Sequence, residues 1–402
     1  MLNLTPYKDL FRDRQLRRIV LSSILPRLPA GINGLAITMM VQTLYGSFGA
    51  GGTVAAAYLV ALGIASPLIG RLVDQNGPRL VMWPCALMHT LATVALVVAA
   101  MYRLSPQWLM LFSFAAGLSF PPVSMTVRAM WRKSKLPDHT KQLGFALEGV
   151  IMETVFICGP LIISLFVLLK APFAALLFSA VATLVGAALF SRSGALERWG
   201  DVETAPRHWL GPLRFSGVRR ALVLSTLLGG TFGLQEMGMM AVSKAAGNEA
   251  AVGFLFAAYS LSSGVMGLLY GTRQFAWPLN RQMALGFLWI ALFSAFLSLN
   301  TALLPFGALC FLCGLATGPL ITMSSLQLGK LTPAQYSTEA FTWSMTLFMM
   351  ALGAAFAVGG WMVESYGTAS PMIGAAIASA LASAMCFRVP EIYVAAEASA
   401  GE

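Results

Sequence analysis

The sequence predicts an all-α integral membrane protein with twelve transmembrane helices arranged as two pseudo-symmetric six-helix bundles. Of its 402 residues, 57% are hydrophobic and 10% are charged, whereas soluble domains carry about 25% charged residues. Twelve apolar runs recur along the chain, each of the length that an α-helix needs to cross about 30 Å of hydrocarbon. The runs of the first half also match those of the second half in residue pattern, which favours two copies of one six-helix unit.

The apolar runs define the expected spans. The first six cover residues 19–44, 53–72, 80–101, 107–129, 143–169 and 173–190, and the second six cover 221–242, 250–270, 283–299, 302–326, 340–363 and 371–387. We expect an N-terminal bundle over 1–190, a cytoplasmic linker over 191–217 and a C-terminal bundle with a short cytoplasmic tail over 218–402.

Basic residues set the expected orientation. If both termini are cytoplasmic, all but four of the 26 Lys and Arg residues lie on the cytoplasmic side, the exceptions being Arg27 within a span and Arg103, Lys170 and Lys244 outside. This asymmetry follows the positive-inside rule and supports that orientation. We expect a multi-pass protein of the bacterial inner membrane. The net charge of +10 then reflects topology and contact with membrane lipid, and basic residues scattered over many loops argue against nucleic acid.

An internal repeat supports the two-bundle organisation. A shift of 197 positions places the fourth span on the tenth and aligns Gly117 with Gly314. A shift of 201 positions places the second span on the eighth and aligns seven residues with identical ones: Gly52, Ala56, Ala57, Tyr58, Gly63, Leu68 and Gly70.

The loop between the second and third spans carries the pattern G-x-L-x-D-x-x-G-x-R, formed by Gly70, Leu72, Asp74, Gly77 and Arg79. Glycines let neighbouring helices approach closely, an aspartate can accept hydrogen bonds from a facing helix N-terminus, and an arginine adds a permanent forked charge. In this position the pattern resembles the signature loop of the major facilitator superfamily of transporters. The resemblance implies alternating access, a substrate site between the two halves near the midplane, and a conformational latch at this loop.

The second half lacks the acidic residue of this loop, because Asp74 aligns with Phe275 and Arg79 with Asn280. We therefore expect a one-sided latch. Residues 332–335 (TPAQ) have the pattern of an N-terminal capping box at the start of the eleventh span. The family fold places that helix end beside the signature loop, as the expected acceptor for Asp74.

Charged residues inside the bilayer are costly and are candidates for function. Arg27 in the first span could meet either Glu148 or Glu153 of the fifth span, which are about 140° apart around a helix and cannot both face it. The pair could be a static ion pair or a proton-titratable coupling site. Glu236 and its neighbour Gln235 in the seventh span are candidates for contact with the substrate.

Other polar residues indicate structure or line the expected cavity. Prolines on both sides of Arg27 predict a kink in the first span. We interpret Glu339 as a first-turn acid of the eleventh span, and His89 as a hydrogen-bonded packing residue. We expect no metal site and no cofactor. The candidates for cavity lining lie on the first, fourth and tenth spans: Thr38, Ser119, Phe120, Ser124, Thr317 and Gln327.

The predicted function is secondary active transport of a small organic solute by a monomer, as a proton-coupled exporter. A proton-coupled importer or an anion facilitator is the alternative. Two patterns known in proton-coupled exporters are incomplete, because Ser113 stands where the fourth span would carry Arg and Val155 stands four residues before Gly159 where a glycine is expected.

An alternative of another class is a membrane-embedded transferase. It would need polar groups converging at one membrane face, and only Asp138 and His139 in a cytoplasmic loop form such a neighbourhood. The sequence contains no Walker-type nucleotide loop, which argues against direct ATP drive.

Overall fold

The computed structural model describes residues 12–133, 138–171, 173–194, 211–271 and 277–389. Within these ranges the chain forms twelve helical spans. They are α1 Arg14–Tyr45, α2 Phe48–Asn76, α3 Pro78–Met101, α4 Pro106–Leu118 continued by Val123–Lys133, α5 Asp138–Leu168, α6 Ala174–Ser191, α7 Ser216–Ala245, α8 Ala251–Gly271, α9 Leu279–Ser298, α10 Leu303–Leu331, α11 Ser337–Tyr366 and α12 Ser370–Cys386.

Ten of the described spans are long and apolar enough to cross a membrane. Of the other two, α12 is a shorter apolar helix of 17 residues, and α7 has 30 residues but carries the polar pair Gln235 and Glu236. The chain is a multi-pass membrane protein. All twelve predicted spans are confirmed as helices, and most extend beyond their apolar runs because helical hydrogen bonding continues where the hydrocarbon ends. Most of the predicted linker falls outside the described residues.

Two spans are broken, and the sequence predicted one of the breaks. In α1, a 3₁₀ turn at Leu25–Arg27 separates the segments Arg14–Ile24 and Leu28–Tyr45, as the flanking prolines, which lack an N–H, require. In α4 the span predicted over 107–129 is confirmed, but its helix is interrupted, since it stops at Leu118 and restarts at Val123. Pro121 and Pro122 lie in the gap and remove two donors from the helical ladder.

The two halves repeat the same helix pairings. In the first half α1 packs on α5 and α6, α2 on α4, and α3 on α4 and α6. In the second half α7 packs on α11 and α12, α8 on α10, and α9 on α10 and α12. Each of these pairings of the first half therefore has its counterpart six spans later.

The repeat extends to individual backbone contacts. A Cβ atom built on Gly117 of α4 would lie 2.1 Å from the carbonyl oxygen of Tyr58 in α2, and one built on Gly314 of α10 would lie 2.3 Å from that of Tyr259 in α8. No larger side chain fits at such distances without moving a helix. The glycines that the sequence repeat aligned thus make the same close helix crossing in both halves.

The halves meet along two seams, α2 against α11 and α5 against α8. We call the end of the molecule that carries the α2–α3 loop the basic end, and the end that carries the α1–α2 loop the far end. Along the first seam, Cβ atoms on Gly52 and Gly63 would lie 2.1 Å and 3.0 Å from the carbonyl oxygens of Phe356 and Thr346. The Thr346 hydroxyl also donates to the Gly63 carbonyl oxygen at 3.1 Å.

The second seam is built in the same way. A Cβ atom on Gly253 of α8 would lie 2.5 Å from the carbonyl oxygen of Pro160 in α5. The Gly253 N–H donates to the Ser164 hydroxyl at 2.9 Å. Nearer the basic end, Gly70 has only Met125 of its own half within 4 Å of a Cβ position and Gly271 has nothing, so neither glycine makes such a crossing. The close glycine contacts of both seams therefore lie between the far end and the middle of the bundle.

Candidate functional site

The signature loop is a one-residue connection between α2 and α3. Gly77 links Asn76 to Pro78, with φ of 78° and ψ of 158°, a conformation that is essentially restricted to glycine. Its N–H donates to the Val73 carbonyl oxygen at 2.9 Å and ends α2. The glycine in the pattern is therefore required by the turn itself.

The remaining residues of the pattern lie on the last turns of α2 and the first turn of α3. Asp74 is half-buried in the last turn of α2, while Leu72 and Arg79 are exposed. Gly70 faces Met125 of α4, whose sulfur would lie 3.9 Å from a Cβ atom at that position. The latch role of these residues stays a prediction.

The capping box expected at the start of α11 is wrong. The Thr332 hydroxyl donates to the Leu328 carbonyl oxygen at 2.7 Å, so this residue closes α10. A 3₁₀ turn at Ala334–Tyr336 follows, and α11 begins at Ser337 with no side-chain cap from Tyr336. Glu339 lies in the first turn of α11, as predicted, where its charge favours the positive end of the helix dipole.

Arg27 pairs with Glu148. Its Nη2 lies 2.8 Å from Oε2 of Glu148, and the two side chains are 1% and 2% exposed. The break in α1 positions the arginine, because Pro26 packs against Gly186 of α6, where a Cβ atom would lie 2.6 Å from the proline ring. Of the two acceptors that the sequence left open, the structure selects the one nearer the basic end.

The ion pair is sparsely hydrogen-bonded. Among the described residues, Nε and Nη1 of Arg27 and Oε1 of Glu148 have no hydrogen-bond partner, although all three atoms are buried. Arg128, an exposed residue of α4, interacts electrostatically with both members of the pair. A buried pair with unsatisfied polar atoms is costly, so its presence needs a reason beyond stability.

Glu153 lies on the α5–α8 seam instead. Its Oε2 would be 3.5 Å from a Cβ atom on Gly264 of α8, and the side chain is half-buried. Within the part of the chain that the structure describes, it makes no ion pair or hydrogen bond. This carboxyl group therefore lies between the two halves.

Glu236 is buried in α7 on the side of the helix that also carries Phe232. It is 9% exposed, and it interacts electrostatically with Tyr259, whose ring contacts Phe232 at a centroid distance of 5.7 Å. No ion-pair partner for this carboxyl group lies among the described residues.

An amide-centred hydrogen-bond cluster ties together the helices of the first half. Asn33 of α1 donates to the Tyr58 hydroxyl at 3.1 Å and lies 3.3 Å from Nε2 of His89, while the Ser179 hydroxyl donates to its Oδ1 at 2.5 Å. Nδ1 of His89 lies 2.8 Å from the Ala116 carbonyl oxygen. That nitrogen must donate, so Nε2 accepts from Asn33. His89 is a packing residue, as predicted.

A matching cluster is built around Gln235 of α7. Its Nε2 donates to the Ser294 hydroxyl at 2.8 Å and to the sulfur of Cys313 at 3.2 Å. The Tyr259 hydroxyl donates to its Oε1 at 2.9 Å and lies 2.7 Å from the Thr317 hydroxyl. Tyr58 and Tyr259, which the sequence repeat aligned, thus hydrogen-bond to equivalent amide side chains, Asn33 and Gln235. Gln235 therefore makes its hydrogen bonds in the interior of the second bundle.

Comparison with known proteins identifies the architecture. No protein-family profile and no curated protein matches the sequence. Among solved structures, a POT family transporter in complex with 5-aminolevulinic acid aligns with a TM-score of 0.70 at 14% identity, over 93% of this chain and 96% of that one. The chain has the major facilitator fold.

Two further structures agree. The nucleoside transporter NupG aligns with a TM-score of 0.69 at 15% identity, over 94% of this chain and 98% of that one. The human organic anion transporter MFSD10 aligns with a TM-score of 0.62 at 17% identity, over 92% and 99% of the two chains. These proteins are similar to the present chain in fold.

Several residues expected to line the cavity of this major facilitator fold are used for helix packing. Thr38 is buried, its hydroxyl donates to the Gly34 carbonyl oxygen at 3.0 Å, and its backbone contacts Gly51 of α2. The Ser119 hydroxyl donates to the Ala115 carbonyl oxygen at 2.6 Å in its own helix. Thr317 belongs to the Gln235 cluster.

The other three candidates for the cavity differ among themselves. The Phe120 ring meets His89 edge-on at 5.5 Å. The Ser124 hydroxyl lies 3.8 Å from the sulfur of Met152 in α5. Gln327 is 1% exposed, and both its amide oxygen and its nitrogen lack hydrogen-bond partners within the described residues. A buried amide with no partner is rare, so Gln327 remains a candidate for contact with water or solute.

Sequence reasoning missed two polar residues that hydrogen-bond between helices. Asn33 was missed although an asparagine in a membrane span is itself a signal of interhelical hydrogen bonding. Glu364 was missed because it lies at the end of α11, outside the apolar run. It is exposed at the far end, where Ser47 and Gly49 of the other half hydrogen-bond to it.

Proposed function

We propose that this chain is a secondary active transporter that moves a small organic solute by alternating access across the cytoplasmic membrane of a bacterium, with both termini in the cytoplasm. The observation that carries the proposal is the pair of seams between repeated halves. The close glycine contacts of both seams lie between the far end and the middle of the bundle. Two rigid bundles that close at one end and part at the other are what alternating access requires.

The direction of opening follows from charge. Basic residues favour the cytoplasmic side of a membrane, and the ends of α2 and α3 that meet at Gly77 carry Arg71 and Arg79. With the basic end in the cytoplasm, closure at the far end corresponds to an inward-facing state. The solute would then enter or leave between the halves from the cytoplasm.

We propose that coupling to protons uses the carboxyl groups between or beside the halves. Glu153 is the first candidate, because it lies on the α5–α8 seam, between the two halves. A carboxyl group buried against apolar atoms favours its neutral, protonated form, and the same group in contact with water favours its charged form. A conformational change that moves it between these surroundings therefore makes it bind a proton in one state and release it in the other. Glu236, buried in α7 without an ion-pair partner among the described residues, is the second candidate. Arg27 and Glu148 are the third.

The preferred mode is proton-coupled efflux, and the alternative is uptake or facilitated movement of an anion. A specific observation favours the anion. Arg27 keeps two nitrogen atoms without hydrogen bonds among the described residues, and the exposed Arg128 adds a second positive charge near it. The fold is also that of MFSD10, which is described as an organic anion transporter.

The test is solute flux into and out of liposomes that contain the purified protein, with an imposed pH gradient. Amphipathic cations, organic anions, nucleosides, sugars and short peptides would be screened in parallel. We expect one class to move against its gradient when protons move down theirs. Proton-driven accumulation inside the liposomes or expulsion from them would distinguish uptake from efflux.

The coupling site is tested by comparing net flux with solute–solute exchange. Glu153→Gln should abolish net proton-driven flux and retain exchange, because exchange needs no proton release. Glu339→Gln in the first turn of α11 is the matched control and should retain both modes. If Glu153→Gln and Glu148→Gln both show normal net flux, proton coupling at α5 is ruled out, and Arg27 becomes a counter-charge for an anionic solute.

A further inference from the structure

A groove opens on the outer surface of the second bundle, between α9 and α12 near the basic end. Its volume is about 370 Å³, within the size range of small-molecule pockets, about 300–1,000 Å³. Small residues form the floor, where the Ser383 hydroxyl of α12 donates to the Ala284 carbonyl oxygen of α9 at 2.8 Å. The close contact at Ala284 and Ser383 leaves room above it for a narrow apolar chain.

Large apolar side chains form the walls of the groove. Leu285 and Leu288 of α9 stand on one side and Phe387, just beyond the end of α12, stands on the other. All three are more than half exposed in the isolated chain. In a membrane this surface faces the acyl chains of the lipid.

The mouth of the groove is basic and aromatic. Arg281, in the first turn of α9, and Trp277, which precedes that helix, line the groove at this end. Arg388 follows Phe387, and its carbonyl oxygen accepts a hydrogen bond from Nη1 of Arg220 in α7. Tryptophan prefers the membrane–water interface, and arginine binds phosphate through a forked set of donors.

We propose that this groove binds one anionic phospholipid from the leaflet at the basic end. The phosphate meets Arg281 at the mouth, and an acyl chain lies on Leu285, Leu288 and Phe387 over the floor. Charge complementarity selects an anionic lipid, because Arg281 lines the mouth and Arg388 directly follows Phe387, and a zwitterionic headgroup offers no net charge to arginine. The site faces away from the seams, so lipid binding there is separate from solute transport.

Native mass spectrometry of the full-length protein measures this directly. The protein, purified in detergent, would be mixed with equal amounts of dioleoyl phosphatidylglycerol and dioleoyl phosphatidylcholine. We expect preferential retention of phosphatidylglycerol. Arg281→Gln should lower that retention about fivefold, the factor that corresponds to one basic residue at an anionic membrane surface. Arg192→Gln, an exposed arginine next to the corresponding end of α6 in the first half, is the matched control and should change it little.

A second variant tests the apolar part. Ala284→Leu fills the floor and should lower the retention of phosphatidylglycerol while all arginines remain. Equal retention of the two lipids by the native protein would overturn the proposal. Equal losses in Arg281→Gln and Arg192→Gln would also overturn it, because they would indicate attraction to the whole basic surface. Size-exclusion profiles identify folded protein, and if Arg281→Gln does not fold, Ala284→Leu decides the outcome.

Discussion

Glu364 of α11 accepts two hydrogen bonds at the N-terminus of α2, which belongs to the other half. The Ser47 hydroxyl donates to Oε1 of Glu364 at 2.6 Å, and the Gly49 N–H donates to the same oxygen at 3.0 Å. Ser164 of α5 does the same for Gly253 at the start of α8. Both seams are therefore fastened at the far end by a side chain of one half on the backbone of the other.

Glu364→Ala should weaken closure of the far end. The exposed contact contributes about 0.5–1 kcal/mol, since a carboxylate at a helix N-terminus is favourable but is screened by solvent. Spin labels at Tyr102 and Leu299, both exposed at the far end and in different halves, should report a larger population of long distances by pulsed electron paramagnetic resonance. Glu339→Ala removes an acid from the opposite end of α11 and serves as control. Identical distance distributions in the native protein and the Glu364→Ala variant would contradict the prediction.

Asp74→Asn should favour the state that is open at the basic end. If Asp74 bonds the start of α11 when that end closes, removing its charge costs the closed state about 1–3 kcal/mol. Labels at Leu80 and Trp277, exposed near the basic end of the two halves, should then show longer distances. Gln75→Ala, a neighbouring exposed position, is the control. Unchanged distances and transport rates in Asp74→Asn would argue against a latch.

Gly117→Ala and Gly314→Ala should both destabilise the protein, each by about 1–3 kcal/mol or more, because a methyl group would overlap a backbone carbonyl. The expected clashes are with Tyr58 at 2.1 Å and with Tyr259 at 2.3 Å. Gly230→Ala is the matched control, since a Cβ atom there has nothing within 4 Å and alanine is the better helix former. Thermal unfolding in detergent measures all three. Similar midpoints for the three variants would show that the close crossings can relax.

Glu148→Gln should destabilise the protein by about 3–5 kcal/mol, because it leaves Arg27 charged and buried without its partner. The double variant Arg27→Met and Glu148→Leu should recover much of that loss, since no buried charge remains. Glu153→Gln is the control on the same helix and should alter stability little, because among the described residues its carboxyl group has no ion-pair or hydrogen-bond partner to lose. A double variant as unstable as Glu148→Gln would show that the pair is not energetically coupled.

Composition and periodicity were sufficient for the architecture. A chain with 57% hydrophobic residues must bury its helices in lipid, and each helix needs a fixed number of apolar residues to cross it. Prolines on both sides of Arg27 predicted the break in α1. Pro121 and Pro122 could have predicted the break in α4 in the same way. The break was not predicted, because the apolar run continues through these two prolines.

The sequence could not predict which residues the polar side chains contact. The sequence left both Glu148 and Glu153 as possible partners of Arg27. The rotation of α5 against α1 decided that Glu148 meets the arginine and that Glu153 turns to α8. Gln235 was expected to meet the solute, and it lies in the interior of the second bundle with Tyr259. Thr332 was expected to open α11, and it closes α10, because its hydroxyl reaches the nearest free carbonyl.

The sequence by itself determined that this is a membrane protein of twelve helices built from two copies of one unit, because hydrophobic length and internal repetition are local properties that the residues carry along the chain. Only the tertiary structure decided how the copies meet. It showed that Gly117 and Gly314 form equivalent close helix contacts in the two halves. It also showed that Gly52 and Gly253 allow close contact between the halves, one glycine on each seam. Those contacts depend on the rotation and depth of helices far apart in sequence, which are set by packing between them.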